Sequence, residues 1–319
     1  MKLFRHLAAP PFVYHPAYSC PWPSTHRFPM AKFRLLRDVI VNSGIHSGDF
    51  HSPPHPFDES SFMEAVYLAH DRDYIDRFCN NKLTKEKKRM INLDFNEHLV
   101  YRTFSEMGGT LHATQLALQY GMAINGAGGT HHAHASFGSG FTVVNDLAIA
   151  AKYLIHTKLC GSVLIFDLDV HQGDGTATIC AKDSNIFTCS IHCSDNFPFK
   201  KAQSDLDVGL SPGIEDKEYL ETVRLTLSQA LTLSDPDFVL YDAGVDISEH
   251  DVLGRLRVSD RGIFERDLLV LSECRRRKIP VCGVIGGGYD RDLTRLAARH
   301  SLLHRAAIHA WNMGEESKL

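Results

Sequence analysis

Short apolar segments interleaved with stretches of helical periodicity constrain this 319-residue chain more than any other feature. Five such segments lie at 122–125, 163–170, 186–192, 238–242 and 280–285, and they read as strands buried on both faces. Helical patterns at 62–78, 104–120, 145–155, 217–233, 259–277 and 293–311 carry apolar residues three and four apart. Phe264, Leu268 and Leu271 keep that rhythm, and Ser259 stands where an N-cap is needed. Alternating strands and helices call for an α/β fold of three layers, α/β/α, around a central, mostly parallel sheet. Sheets of this kind carry their functional loops at the carboxyl ends of the strands, so chemistry is expected there.

A hydrophobic content of 44% and a charged content of 23% are ordinary for a globular chain. No linker, repeat or low-complexity stretch interrupts the pattern, and residues 1–319 read as one domain, with Pro-rich surface loops at 10–23 and 53–56. No run approaches the roughly 20 apolar residues of a membrane span. The start, Met1-Lys2-Leu3-Phe4-Arg5, breaks at Pro10 and Pro11 before a signal-type region forms. The expectation is a protein that is not secreted: cytoplasmic, or nuclear in a eukaryotic cell. A net charge of −4 argues against direct nucleic-acid binding, and Arg275-Arg276-Arg277-Lys278 reads as the basic end of a helix. The 8 cysteines form no CxxC pair, so buried thiols are expected rather than a disulfide or thiolate-zinc framework. The 19 histidines point to metal or proton-transfer chemistry.

The strand at 163–170 runs into Asp167-Leu168-Asp169-Val170-His171-Gln172-Gly173-Asp174-Gly175. Side chains two apart on a strand share a face, so Asp167, Asp169 and His171 are expected on one side of its end. Beyond the strand at 238–242, Asp246 can reach the same point. Two Asp and one His leave an open coordination position, the catalytic rather than the structural zinc arrangement, and this oxygen-rich set also accepts iron(II). His131 and His132, after another strand end, cannot direct both rings alike, and Asp167 and Asp174 are available as their partners. A carboxylate behind an imidazole fixes its tautomer and raises its basicity, which prepares a general base. Gly286-Gly287-Gly288-Tyr289 lets backbone approach a ligand closely and adds a hydroxyl donor. A metal, paired histidines and a tyrosine together describe amide hydrolysis.

These segments, together with His70-Asp71-Arg72-Asp73-Tyr74-Ile75 and the stretch from Gly138 to Asp146, resemble the histone deacetylase superfamily, in particular its class IV and bacterial-type members. The resemblance runs in order over most of the chain and implies the arginase/deacetylase fold. It makes Asp169, His171 and Asp246 zinc ligands, and His132 the general base toward the water that attacks the acyl carbonyl. His131 becomes its electrostatic partner, Asp167 and Asp174 orient the two rings, and Tyr289 donates to the oxyanion. Gly140 and Phe141 match one wall of the family's substrate tunnel; Phe197 is taken as the other, and Gly287 and Gly288 are taken as substrate-binding with them. The family also carries a structural potassium ion, which falls here at Asp167, Asp169, His171 and Ser190. His134, His192 and Cys193, near the same loops, read as polar packing.

The activity implied is zinc-dependent removal of an acetyl or longer acyl group from a lysine amine in a peptide or protein. Deacetylation of a small acylated amine, such as an acetylated polyamine, stays open beside it. Ureohydrolases use two metals and a different Asp-His pattern. A non-catalytic acyl-lysine binding protein is the alternative of another class, and none of the ligands, the tandem histidines or the tyrosine is missing as that alternative requires.

Overall fold

The structure, a computed structural model, describes residues 4–5, 7–55 and 60–316. The first three residues and Pro56 of the second Pro-rich loop lie outside the described residues. Seven strands form one sheet: β1 (Phe12–Val13), β2 (Met122–Asn125), β3 (Val163–Asp167), β4 (Ile186–Cys193), β5 (Leu206–Leu210), β6 (Phe238–Asp242) and β7 (Val281–Val284). Every pairing is parallel, in the order β1-β2-β7-β6-β3-β4-β5. One face is covered by α1 (Lys32–Asn42), α8 (Asp216–Ser234), α9 (Asp260–Arg277) and α10 (Leu293–Glu316). The other carries α2 (Ser60–Ala69), α5 (Glu97–Tyr120), α6 (Asp146–His156) and α7 (Asp174–Cys180); α3 (Arg72–Cys79) and α4 (Lys85–Ile91) follow α2 in the chain, and Phe78 of α3 packs against Phe104 of α5. This is the three-layer α/β/α arrangement. From β3 the chain moves outward through β4 and β5, then returns to β6 on the other side and continues to β7. The strand order therefore reverses between β3 and β6, where loops diverge and leave a crevice at the carboxyl ends.

Several boundaries differ from expectation. The strand expected to reach residue 170 stops at Asp167, and the helix expected over 62–78 is two helices. His70 breaks it: the buried ring donates from Nδ1 to His134 O (3.0 Å) and accepts at Nε2 from the Asn145 amide (2.8 Å). These contacts tie α2 to the site loop, and Asp71 then starts α3. Helix α5 begins earlier than its apolar pattern, because Asn96 caps it by accepting from the Leu99 amide at 2.8 Å. Strands β1 and β5 were not foreseen. The basic run at 275–278 ends α9 with Arg276 and Arg277 on Glu273, and Arg275 over the Trp311 ring.

Arg266 of α9 is 0% exposed and braces the crevice from below. Its guanidinium donates to Gly244 O at 2.6 Å, Ala243 O at 3.1 Å and Leu168 O at 3.4 Å, and to the Asp267 carboxylate at 2.8 Å. Those carbonyls belong to the two loops that carry Asp169 and Asp246. Arg266→Met leaves Asp267 as an uncompensated buried charge and is expected to lower unfolding free energy by about 3–5 kcal/mol. Urea denaturation checks this; a loss under about 1 kcal/mol would remove the brace from the account.

Candidate active site

Asp169 and His171 sit on the turn after β3, and Asp246 on the turn after β6; they are 1%, 8% and 0% exposed. Their ligating atoms all lie within 4.8 Å of one another. His171 Nδ1 is 3.0 Å from Asp169 Oδ1 and 3.1 Å from Asp246 Oδ2. Backbone amides hold the carboxylates: Asp246 Oδ1 accepts from Val170 (2.9 Å), Asp169 Oδ1 from His171 (2.9 Å) and Asp169 Oδ2 from Gly287 (2.8 Å). Burial and the Asp169 charge push the Asp246 carboxyl up to about 7. Burial opposes protonation of His171, but its hydrogen bonds to Asp169 and Asp246 outweigh that and carry it up to about 10. Two buried carboxylates facing one imidazole nitrogen form a place for a cation, and a divalent ion would displace the histidine proton.

The surroundings fit such an ion. A Cβ on Gly287 would fall on Asp246 Oδ2 and come within 2.5 Å of Asp169 Oδ2, so backbone alone can pass there. Gly287→Ala is expected to weaken divalent-metal affinity by about 10–100-fold, the cost usual for disturbing a group that supports a ligand. Zinc titration against a competing chelator measures it; unchanged affinity would show that the cradle does not matter.

Asp167, expected on the same side as Asp169 and His171, belongs to a separate cluster. The chain leaves the strand at Asp167, so the period-two argument no longer applies to 169 and 171. Asp167 instead accepts from His131 Nδ1 at 2.7 Å, while Asp242 lies 3.9 Å from the same nitrogen. Burial lowers the affinity of His131 for a second proton, but the Asp167 and Asp169 charges override it and raise the ring well above its ordinary value. His132 donates from Nδ1 to Asp174 Oδ1, also at 2.7 Å. Burial and the neighbouring His131 lower it to about 4, so it is neutral at physiological pH with its second nitrogen free of that bond. The loop is set by Gly128 and Gly129, both at left-handed φ (88° and 84°), and by Asp146, which accepts from the Thr130 amide (2.8 Å) and hydroxyl (2.6 Å).

Above these groups opens a cavity of about 700 Å³, lined in part by His132, Gly140, Phe141, His171, Phe197 and Tyr289. The Phe197 ring stands edge-on to His132 at 4.8 Å, and the Phe141 ring lies 5.8 Å from Tyr289. Burial and the charges of Asp169 and Asp246 hold the Tyr289 phenol well above its ordinary value, so it stays a neutral donor. Behind Tyr289 is an inner space of about 30 Å³, reached by Gly287, Lys32, Arg102 and Glu106. Gly288 is not brought to either space: a Cβ there would meet His300, Val245 and Leu296, so its smallness serves packing against α10. Ser190 pairs in register with Asp167, but its hydroxyl bonds His192 Nδ1 at 3.0 Å.

Three supporting residues escaped the sequence reading. Asp251 accepts from the amides of Tyr289 (2.7 Å), Leu253 (2.8 Å) and Gly254 (2.9 Å), tying the tyrosine to the cavity wall. Its signal is the Asp-x-x-Gly turn at 251–254. Asp242 is fully buried with neither oxygen hydrogen-bonded, and burial followed by the Asp167 charge raises it well above the carboxylate range. Lys32, buried, donates to Gly286 O at 3.0 Å, and nothing in its local sequence distinguishes it. His134, which the sequence placed near the site as polar packing, joins Asp174 from the far side at 3.1 Å.

A family model described as histone deacetylase domain matches residues 26–304. The chain is 46% identical to an uncharacterized protein of Picosynechococcus sp., over 93% of this chain and 98% of that protein. It is 32% identical to histone deacetylase 2 of Arabidopsis thaliana over 65% of this chain and 54% of the relative, so it spans about half of that protein's length. Similarity to the acetoin utilization protein AcuC of Staphylococcus aureus is 29% over 83% of this chain and 73% of the relative. No helix among the described residues is long and apolar enough to cross a membrane. With the family model spanning the strand ends that carry the buried Asp-His cluster, the paired histidines and Tyr289, the chain belongs to the histone deacetylase family of hydrolases.

Proposed function

We propose that this protein is a zinc-dependent amidohydrolase that removes an acetyl group from the side chain of acetylated lysine. The observation that carries the reading is convergence on one cavity of the Asp169-His171-Asp246 cluster, the neutral His132 backed by Asp174, and the Tyr289 phenol. Zinc held by Asp169, His171 and Asp246 would supply Lewis acidity to the acyl carbonyl and the attacking water. His132 takes a proton from that water and later returns one to the leaving lysine amine, while Asp174 holds its tautomer. His131, kept cationic by Asp167, adds positive charge beside the developing oxyanion, and Tyr289 donates to it. Gly140, Phe141 and Phe197 embrace the lysine methylenes. The inner space of about 30 Å³ accommodates roughly two waters, which supports a short acyl group over a long chain. Residues 26–304 include every group named, which supports one catalytic domain. Eight cysteines without a disulfide support a reducing, cytoplasmic setting. The name of one relative, a histone deacetylase, agrees with a deacetylase.

The test is hydrolysis of lysine peptides bearing acyl groups from acetyl to myristoyl, with and without a zinc chelator. Chelator-sensitive turnover strongest on acetyl-lysine is expected. Zinc-loaded protein that binds a hydroxamate yet cleaves none of the peptides would instead identify a non-catalytic reader.

A further inference from the structure

The mouth of the cavity carries features that the proposed chemistry does not use. Arg27, Arg89 and Arg255 line it, all exposed, and none makes an ion pair among the described residues; Asp195 is the one exposed carboxylate lining the same mouth. They come from three separate parts of the chain: the loop before α1, the end of α4 and the loop after Asp251. This is therefore a convergence in space, not a basic run in sequence. Three of the seven large apolar side chains exposed among the described residues, Met90, Phe199 and Val252, stand on the same mouth, and Phe199 is 91% exposed. Elsewhere on the surface, arginines such as Arg77, Arg224, Arg261 and Arg276 pair with a carboxylate on their own helix.

We infer that this rim selects a polypeptide whose residues flanking the acetyl-lysine are acidic, an inference that rests on the deacetylase reading above. Three unpaired guanidiniums against one carboxylate give the mouth an excess of positive charge. An acetylated polyamine keeps its remaining amines cationic, and a lysine- and arginine-rich tail is cationic as well, so each is repelled at the entrance. Acidic side chains beside the lysine find fork-shaped donors, and guanidinium matches carboxylate geometry better than ammonium does. Phe199, Met90 and Val252 offer apolar area to the flanking chain, which a small polyamine lacks the extent to use. Exposed pairs are individually weak, so the effect is a graded preference and is screened by salt beyond a Debye length of about 10 Å at 0.1 M.

Three peptides sharing one acetyl-lysine, flanked by Asp and Glu, by Gly and Ser, or by Lys and Arg, test this beside an acetylated polyamine. Zinc-loaded full-length protein is expected to rank kcat/KM acidic over neutral over basic over polyamine, with about tenfold between acidic and basic at low salt. The span should shrink severalfold at about 0.5 M salt. The triple variant Arg27→Gln, Arg89→Gln, Arg255→Gln should erase the ranking, and Arg255→Glu alone should narrow it, which keeps the test open if the triple variant misfolds. Fluorescence anisotropy with labelled peptides reads the same ranking without cleavage. Ranked binding without turnover on any peptide overturns the deacetylase reading and retains the rim. Turnover with equal or basic-first ranking, or a ranking that survives in the triple variant, overturns the rim and retains the deacetylase.

Discussion

Asp246→Asn is expected to cost the protein its divalent ion and essentially all of its turnover. The substitution keeps the volume and the oxygen that accepts from the Val170 amide at 2.9 Å, so the turn after β6 should persist. What it removes is one of two carboxylates facing His171 Nδ1, and with it the charge that makes the cluster a place for a dication. Disturbing a residue that merely supports a ligand costs about 10–100-fold in affinity, so losing a ligand should exceed that. Stability gives a second readout. A ligand present at a thousandfold excess over its Kd adds about 4 kcal/mol, so zinc should raise the Tm of the natural protein markedly and that of the variant little. The uncharged variant also relieves the burial of charge and the Asp169 repulsion that push Asp246 up to about 7, so its metal-free form should be no less stable than the natural one. Metal content by elemental analysis, with Tm with and without chelator, checks both. A variant holding one zinc per chain would end the assignment of Asp246 as a ligand.

The layers and the strand ends were legible because burial on both faces leaves a plain mark: an apolar run followed by Asp, His or Gly. Val163 to Asp167 and Phe238 to Asp242 are such runs, and the residues just beyond them converge. Strand β5 was not legible, since Asp207 and Gly209 interrupt it; at the sheet edge it alternates between exposed and covered positions. Strand β1, only two residues long and directly after Pro10 and Pro11, is too short to carry a period. The break at His70 could not be read either, because the groups that hold its ring, His134 and Asn145, lie more than 60 residues away. The same reason hid Asp242 and Lys32. Their positions follow from how β6 and α1 pack with the rest of the fold, which no local pattern encodes. Asp167 shows the reverse error: the period-two argument grouped it with Asp169 and His171, but the strand ends at Asp167 and the argument does not reach 169 or 171.

Tyr289→Phe should leave zinc content unchanged and lower kcat by about 10²–10³-fold, the range seen when one preorganised oxyanion donor is removed. The two halves of the expectation come from different features of the residue. Asp169, His171 and Asp246 make the cluster without its phenol, so the metal should not notice its loss. Its ring packs against Phe141, with centroids 5.8 Å apart, and its amide is held by Asp251 at 2.7 Å, and phenylalanine keeps both. The backbone turn and the cavity wall should therefore stay in place, and only the donor disappears. Burial, with Asp169 and Asp246 nearby, keeps that donor protonated across the working pH range, so the deficit should be independent of pH between about 6 and 9. KM should change far less than kcat, because the bond strengthens as charge develops on the carbonyl oxygen. If kcat were unchanged, or if KM alone rose, Tyr289 would be a wall of the cavity and the oxyanion would need another donor.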